Sequence, residues 1–164
     1  MKKIGSAKLA PEARDAAKPM LLYVEDEEEN WHITEMRLRD RYHLVRAADD
    51  QEACRLAREA GPKLYAVLMD IQLKGSKLDG IQLCRLFKGK LPPEQRRDLP
   101  PYAQDIPELA APLFFVTAYG ARYQEDELKA AGATWLITKP VDFVRLTLAL
   151  ANVSAKAAFN QLDG

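Results

Sequence analysis

The chain has 164 residues, 48% of them apolar and 29% charged, which is an ordinary globular balance and long enough for one domain with a core of its own. Acidic and basic residues balance at 24 each, so the basic excess of a nucleic-acid binder is missing. No apolar run reaches membrane-spanning length, and the first 19 residues lack the apolar stretch of a secretory signal.

Residues 1–19 mix Ala, Lys, Glu and Pro and read as a tail that ends at Pro19. Met20 to Val24 is apolar throughout and predicts a first strand, which runs into Glu25-Asp26. Glu27 to Arg39 predicts a helix with Trp31, Thr34 and Leu38 on one face. Tyr42 to Ala47 is more mixed and suits an edge strand. Asp50 to Ala60 predicts a second helix, stopped by Gly61-Pro62. Leu64 to Met69 is the most uniformly apolar run. It predicts the central strand, and it stops at Asp70.

Gly80 to Gly89 then has helical apolar spacing through Ile81, Cys84 and Phe87. Pro112 to Thr117 predicts a fourth strand, Arg122 to Ala131 a helix ended by Gly132, and Thr134 to Thr138 a fifth strand leading to Lys139-Pro140. Val141 to about Phe159 predicts the last helix, and residues 160–164 a short tail. Five strands alternating with five helices imply a parallel sheet covered on both faces. One segment breaks this rhythm. Six of the ten prolines fall between residues 90 and 112, which excludes regular helix or central strand there. The segment joins a helix to a strand, so it is expected at the end of the sheet opposite the strand tips that carry Glu25, Asp26 and Asp70. It serves there as a docking surface or a decorated loop.

Strand tips in an open α/β sheet gather at one crevice. Here they deliver two acidic corners, a hydroxyl (Thr117) and an ammonium (Lys139). Two unit charges 4 Å apart repel by about 4 kcal/mol at an effective dielectric near 20, so Glu25, Asp26 and Asp70 need counter-charge. Lys139 supplies one charge, and a hard cation such as Mg2+, which takes oxygen ligands and keeps several waters, would supply the rest. Asp26 and Asp70 suit direct ligation, Gln72 offers its backbone carbonyl, and Glu25 suits a contact through water. A carboxylate such as Asp70 can also attack a phosphoryl group and carry it as an aspartyl phosphate. That chemistry depends mainly on positioning and charge neutralisation, which Mg2+, Thr117 and Lys139 are suited to provide.

These residues, taken together, resemble the receiver domain of two-component response regulators. The resemblance runs from Met20 to Val153 and rests on four motifs in order: Leu21-Leu22-Tyr23-Val24-Glu25-Asp26, Val67-Leu68-Met69-Asp70 with Leu78-Asp79-Gly80, Phe115-Val116-Thr117, and Lys139-Pro140. It implies a flavodoxin-like fold with strand order 2-1-3-4-5, spanning residues 20–159 with an insertion at 90–112. It implies that Asp70 is the phosphoacceptor, served by a histidine kinase or histidine phosphotransfer protein. Glu25 and Asp26 would be the acidic pair, and Thr117 and Lys139 the switch hydroxyl and phosphate-contacting lysine. The Lys139-Pro140 bond would be cis. Such a domain catalyses only its own phosphorylation and dephosphorylation, acts as a cytoplasmic monomer or weak homodimer, and signals to a protein target through the fourth helix, fifth strand and fifth helix. No output domain is expected after Phe159, which suggests a stand-alone regulator.

Two departures stand out. Leu136 occupies the place, three residues before the lysine, where the family usually has an aromatic, and Trp135 should face the other side of the strand. The loop from Asp70 to Gly80 is two residues longer than usual and carries Lys74 and Lys77. Tyr119 is placed to overhang the crevice and slow hydrolysis of an acyl phosphate.

Other residues have plainer uses. Asp79 suits a helix cap, Asp49 and Asp50 a helix start, and Glu27, Glu28 and Glu29 the positive end of the first helix. His32 and His43 lack the company of a metal site, and Cys54 and Cys84 suit buried filler in a reducing compartment. The alternative is a pseudo-receiver, an interaction module that signals without phosphorylation. An aspartyl phosphohydrolase is disfavoured, because the second Asp that it needs two residues on is Gln72 here. The Glu-rich turn after the first strand excludes a flavin phosphate cradle.

Overall fold

The computed structural model describes residues 18–118 and 122–162, with side chains to Val153. Its elements are β1 (Met20–Val24), α1 (Glu28–Leu38), β2 (His43–Ala47), α2 (Asp50–Ala60), β3 (Leu64–Met69), α3 (Gly80–Phe87), β4 (Leu113–Thr117), α4 (Glu125–Ala130), β5 (Trp135–Thr138) and α5 (Phe143–Leu162). All strand pairs are parallel, in the order β2-β1-β3-β4-β5, as expected of a flavodoxin-like fold.

The apolar runs are uniform because the sheet is buried on both faces, and alternation sorts them. Leu22, Val24, Val67, Met69, Leu113 and Phe115 pack against α2, α3 and α4. Leu21, Tyr23, Ala66, Leu68, Phe114 and Val116 pack against α1 and α5, and the Tyr65 hydroxyl donates to the Leu150 carbonyl of α5 at 2.6 Å. Each fully buried Leu or Phe contributes about 1.5–3 kcal/mol relative to exposure, so the two layers fix the strand register that brings the tips together. Trp135 and Leu136 alternate as expected: Leu136 packs with the first layer, whereas Trp135 is 42% exposed.

Two expectations need correction. The fourth helix opens at Glu125, not Arg122, because Glu125, Asp126 and Glu127 put three carboxylates in its first turn, where the helix dipole favours them. The proline-rich segment does not stay at the far end of the sheet. It is anchored there: the Leu109 N–H donates to the Phe87 carbonyl at 2.8 Å, and the Lys88 ammonium donates to the carbonyls of Leu109 and Ala111 at 2.9 and 3.0 Å. Its middle, however, climbs along α2. Arg58 donates to the Gln104 carbonyl at 2.6 Å, Ala103 is fully buried, and the Tyr102 hydroxyl reaches Asp50 at the opposite end of that helix. Burial of Ala103 and Leu109 against the first layer makes the climb favourable, and Pro92, Pro93, Pro100 and Pro101 fit because they open short helical turns.

Candidate functional site

Four strand tips make the acidic corner. β1 delivers Glu25 and Asp26, and β3, its neighbour, delivers Asp70, whose N–H donates to the Val24 carbonyl at 3.0 Å. β4 ends in Thr117, which is fully buried. Its carbonyl accepts from the Lys139 N–H at 2.9 Å, so β5 carries Lys139 past the tip of β4 to the acids. The Lys139-Pro140 peptide is cis, as the resemblance implied.

Lys139 is the hub. Its ammonium donates to Asp70 Oδ2 at 2.8 Å and to both oxygens of Glu25 at 3.1 Å. The other Asp70 oxygen accepts from the Ile71 N–H at 2.7 Å. Glu25 is fully buried, and Asn30 of α1 adds a hydrogen bond at 2.8 Å. Burial pushes the Glu25 carboxyl up to about 7, against the downward pull of Asn30 and Lys139. Burial also works against the Lys139 charge. Asp70 and Glu25 more than offset it and hold the ammonium above the ordinary lysine range.

Glu25, Asp26 and Asp70 each offer a carboxylate oxygen within 4.8 Å of the others. Three hard oxygen donors this close, with one ammonium among them in the described residues, fit a hard divalent cation. Asp26 is better exposed than Glu25, and one of its oxygens accepts from the Lys74 N–H at 3.0 Å, leaving the other for a ligand role. Gln72 lies two residues past Asp70 in the β3–α3 loop, with its side chain exposed. Gly80 lets this loop return: a Cβ there would lie 2.0 Å from the Asp70 carbonyl oxygen.

Several partners were not legible as such. Asn30 supports Glu25, and Arg46 of β2 donates to the carbonyls of Glu25 and Asp26 at 3.1 and 3.2 Å, fixing the acidic turn. Nothing marks either residue locally. A basic position on an edge strand beside an acidic tip is the only cue for Arg46. Asp79 caps α3 in a reciprocal box with Gln82, and Asp49 caps α2, both as expected. Lys74 and Lys77 are exposed, Cys54 and Cys84 are buried and free, and Tyr119 lies outside the described residues.

No family model matches the chain, and no curated protein matches it. Solved structures do. The Francisella response regulator 1452 receiver domain superposes with a TM-score of 0.65 at 16% identity, over 85% of this chain and 99% of that one. The receiver domain of NtrX from Brucella abortus gives 0.61 at 25% identity, over 81% and 96%. The Vibrio cholerae chemotaxis protein CheY4 gives 0.61 at 22% identity, over 84% and 99%. The chain therefore has the fold of response-regulator receiver domains. Among the described residues, no helix is long and apolar enough to cross a membrane.

Proposed function

We propose that residues 20–159 form a phosphoacceptor receiver of a two-component phosphorelay, with residues 90–112 as an insertion. The observation that carries this reading is the Lys139 ammonium bridging Glu25 and Asp70, with Asp26 in the same oxygen cluster. Asp70 is the nucleophile. One of its carboxylate oxygens forms the new O–P bond while the N–P bond of a phosphohistidine breaks, and that electron pair returns to the imidazole of the donor kinase or phosphotransfer protein. Asp26 and Asp70, the Gln72 carbonyl and, through water, Glu25 would hold Mg2+. When bound, Mg2+ supplies charge neutralisation for the transferred group.

Lys139 already touches Asp70 and follows the charge onto the phosphoryl oxygens. The product adds roughly −1.5 to −2 charge by analogy with other phosphorylated side chains. Thr117 and Lys139 are drawn toward it, and because Lys139 follows β5 the pull reaches α4, β5 and α5. That face, with Trp135, Val144 and Leu148 exposed, is the surface offered to an output protein.

Incubation with acetyl phosphate and Mg2+ is expected to add one phosphoryl mass to the chain. Asp70→Asn or chelator should abolish the gain. A parent protein that gains no mass and gives no spectral change with beryllofluoride would instead be a pseudo-receiver.

A further inference from the structure

Asp50 is a charged side chain, 3% exposed, that the phosphoryl chemistry leaves unused. Its Oδ1 accepts from the Gln51 N–H at 2.9 Å. Its Oδ2 accepts from the N–H groups of Lys77 and Leu78, each at 3.1 Å, and from the Tyr102 hydroxyl at 2.5 Å. Its own N–H donates to Ser76 Oγ at 3.0 Å. Four donors fill this carboxylate. It is a clamp, joining the start of α2, the β3–α3 loop and the inserted segment.

The clamped loop begins at the acidic corner. Asp70 and Gln72 open it, and its Lys74 N–H holds one oxygen of Asp26. Lys74, Gly75 and Lys77 are exposed, Gly75 turns at φ +77, and Ser76 is half-buried with its N–H donating to the Leu73 carbonyl at 3.2 Å, so the stretch has little packing of its own between the buried Leu73 and Leu78. Its position is set at the corner by Asp26 and at the other end by Asp50.

We propose that Asp50, anchored by Tyr102 of the insertion, is a positioning residue for the cation at the acidic corner: it fixes the loop whose Lys74 N–H orients Asp26. The proposal rests on the receiver reading above and extends it. Rigid placement of oxygen ligands sets affinity for a hard cation. By reciprocity, a ligand that tightens or breaks the Tyr102–Asp50 contact shifts cation affinity, and the cation shifts that ligand's affinity by the same factor.

The test is Mg2+ titration of the unphosphorylated full chain by calorimetry, paired with hydrogen exchange of the loop amides. Asp50→Asn cannot serve both sides of the clamp, because its amide nitrogen must face either the Gln51 N–H or the three donors at Oδ2. It is expected to weaken Mg2+ binding about tenfold, or about 1.4 kcal/mol, and to speed exchange at Lys74, Lys77 and Leu78. Tyr102→Phe keeps the ring and should weaken binding about threefold. Arg58→Ala releases the insertion at Gln104 without touching Asp50 and should bind Mg2+ as the parent does.

Parent affinity in folded Tyr102→Phe and Asp50→Asn, whatever their melting temperatures, would overturn the proposal and leave the clamp purely structural. If Asp50→Asn does not fold, Tyr102→Phe decides alone. A parent chain that takes up no Mg2+ would overturn the receiver reading itself, and this inference with it.

Discussion

Two lysines at opposite ends of the sheet meet their surroundings in opposite ways. Lys139 sits among carboxylates, with Asp70 at 2.8 Å and Glu25 at 3.1 Å. Lys88 sits among backbone carbonyls, those of Leu109 and Ala111. Burial lowers the Lys88 ammonium below the ordinary lysine range, with Cys84 and Glu108 giving back part of the loss. Lys139 is held above it by its acids. Dipoles can satisfy an ammonium but cannot exchange it for another cation or follow it to a new anion. Carboxylates can do both. The far end is therefore suited to holding the insertion in place, and the acidic corner to trading partners.

The largest expected effect breaks the comparison at the corner. Lys139→Met removes the ammonium that bridges Glu25 and Asp70 and leaves two buried carboxyls facing each other. Breaking a buried pair this way costs about 3 kcal/mol. With the lysine gone, the Glu25 carboxyl loses a partner that pulled its pKa down, so it is held still further above its unfolded value, and the loss is larger at pH 8 than at pH 5, where Glu25 keeps its proton. Added Mg2+ should restore stability at pH 8, because a ligand of the folded state stabilises it by mass action. Urea melts at pH 5 and 8 check this, and an equal loss at both would contradict the ion-pair reading.

Lys88→Met probes the other end and should cost less. It leaves the carbonyls of two buried residues, Leu109 and Ala111, without that donor, a penalty of about 2 kcal/mol. Among the described residues, no carboxylate is hydrogen-bonded to this ammonium, so the loss should be nearly the same at pH 5 and 8. Mg2+ affinity should not move, since the Asp50 clamp holds the loop separately. Denaturation with and without Mg2+ tests both statements. A loss that disappears at low pH would mean that Glu108, not the carbonyls, is the real partner.

The corner was largely legible in the sequence, because its parts are contrasts: an apolar run that stops at Asp70, another at Glu25, a third at Lys139. Such stops need only local pattern and the geometry of parallel sheets. The clamp was not legible. Asp50 reads as a helix start because it is one, and its second role depends on Tyr102, fifty-two residues on in the chain. Proline content showed that residues 90–112 are irregular, but not where they run. That was settled by Ala103 and Leu109, two apolar residues in a segment without periodicity, whose burial draws the chain along α2. Asn30 and Arg46 escaped notice for a similar reason: each acts on Glu25 or Asp26 across an element boundary.

A slope, not a single loss, separates the two ends by pH alone. Burial raises the Glu25 carboxyl from its usual 4.5 to about 7, so between those values the folded chain keeps a proton that the unfolded chain has released. Stability must then fall as pH rises through that window, by no more than about 1.4 kcal/mol per pH unit for one proton. Below 4.5 both states are protonated and above 7 both are charged, so the slope is confined between them. Glu25→Gln keeps an acceptor for Asn30 and Lys139 but cannot titrate. In chelator, urea melts of this variant should show a flatter dependence between pH 4.5 and 7 than the parent, while Lys88→Met should keep the parental slope. A Glu25→Gln slope as steep as the parent's would assign the proton to another group and remove the buried carboxyl as the cause.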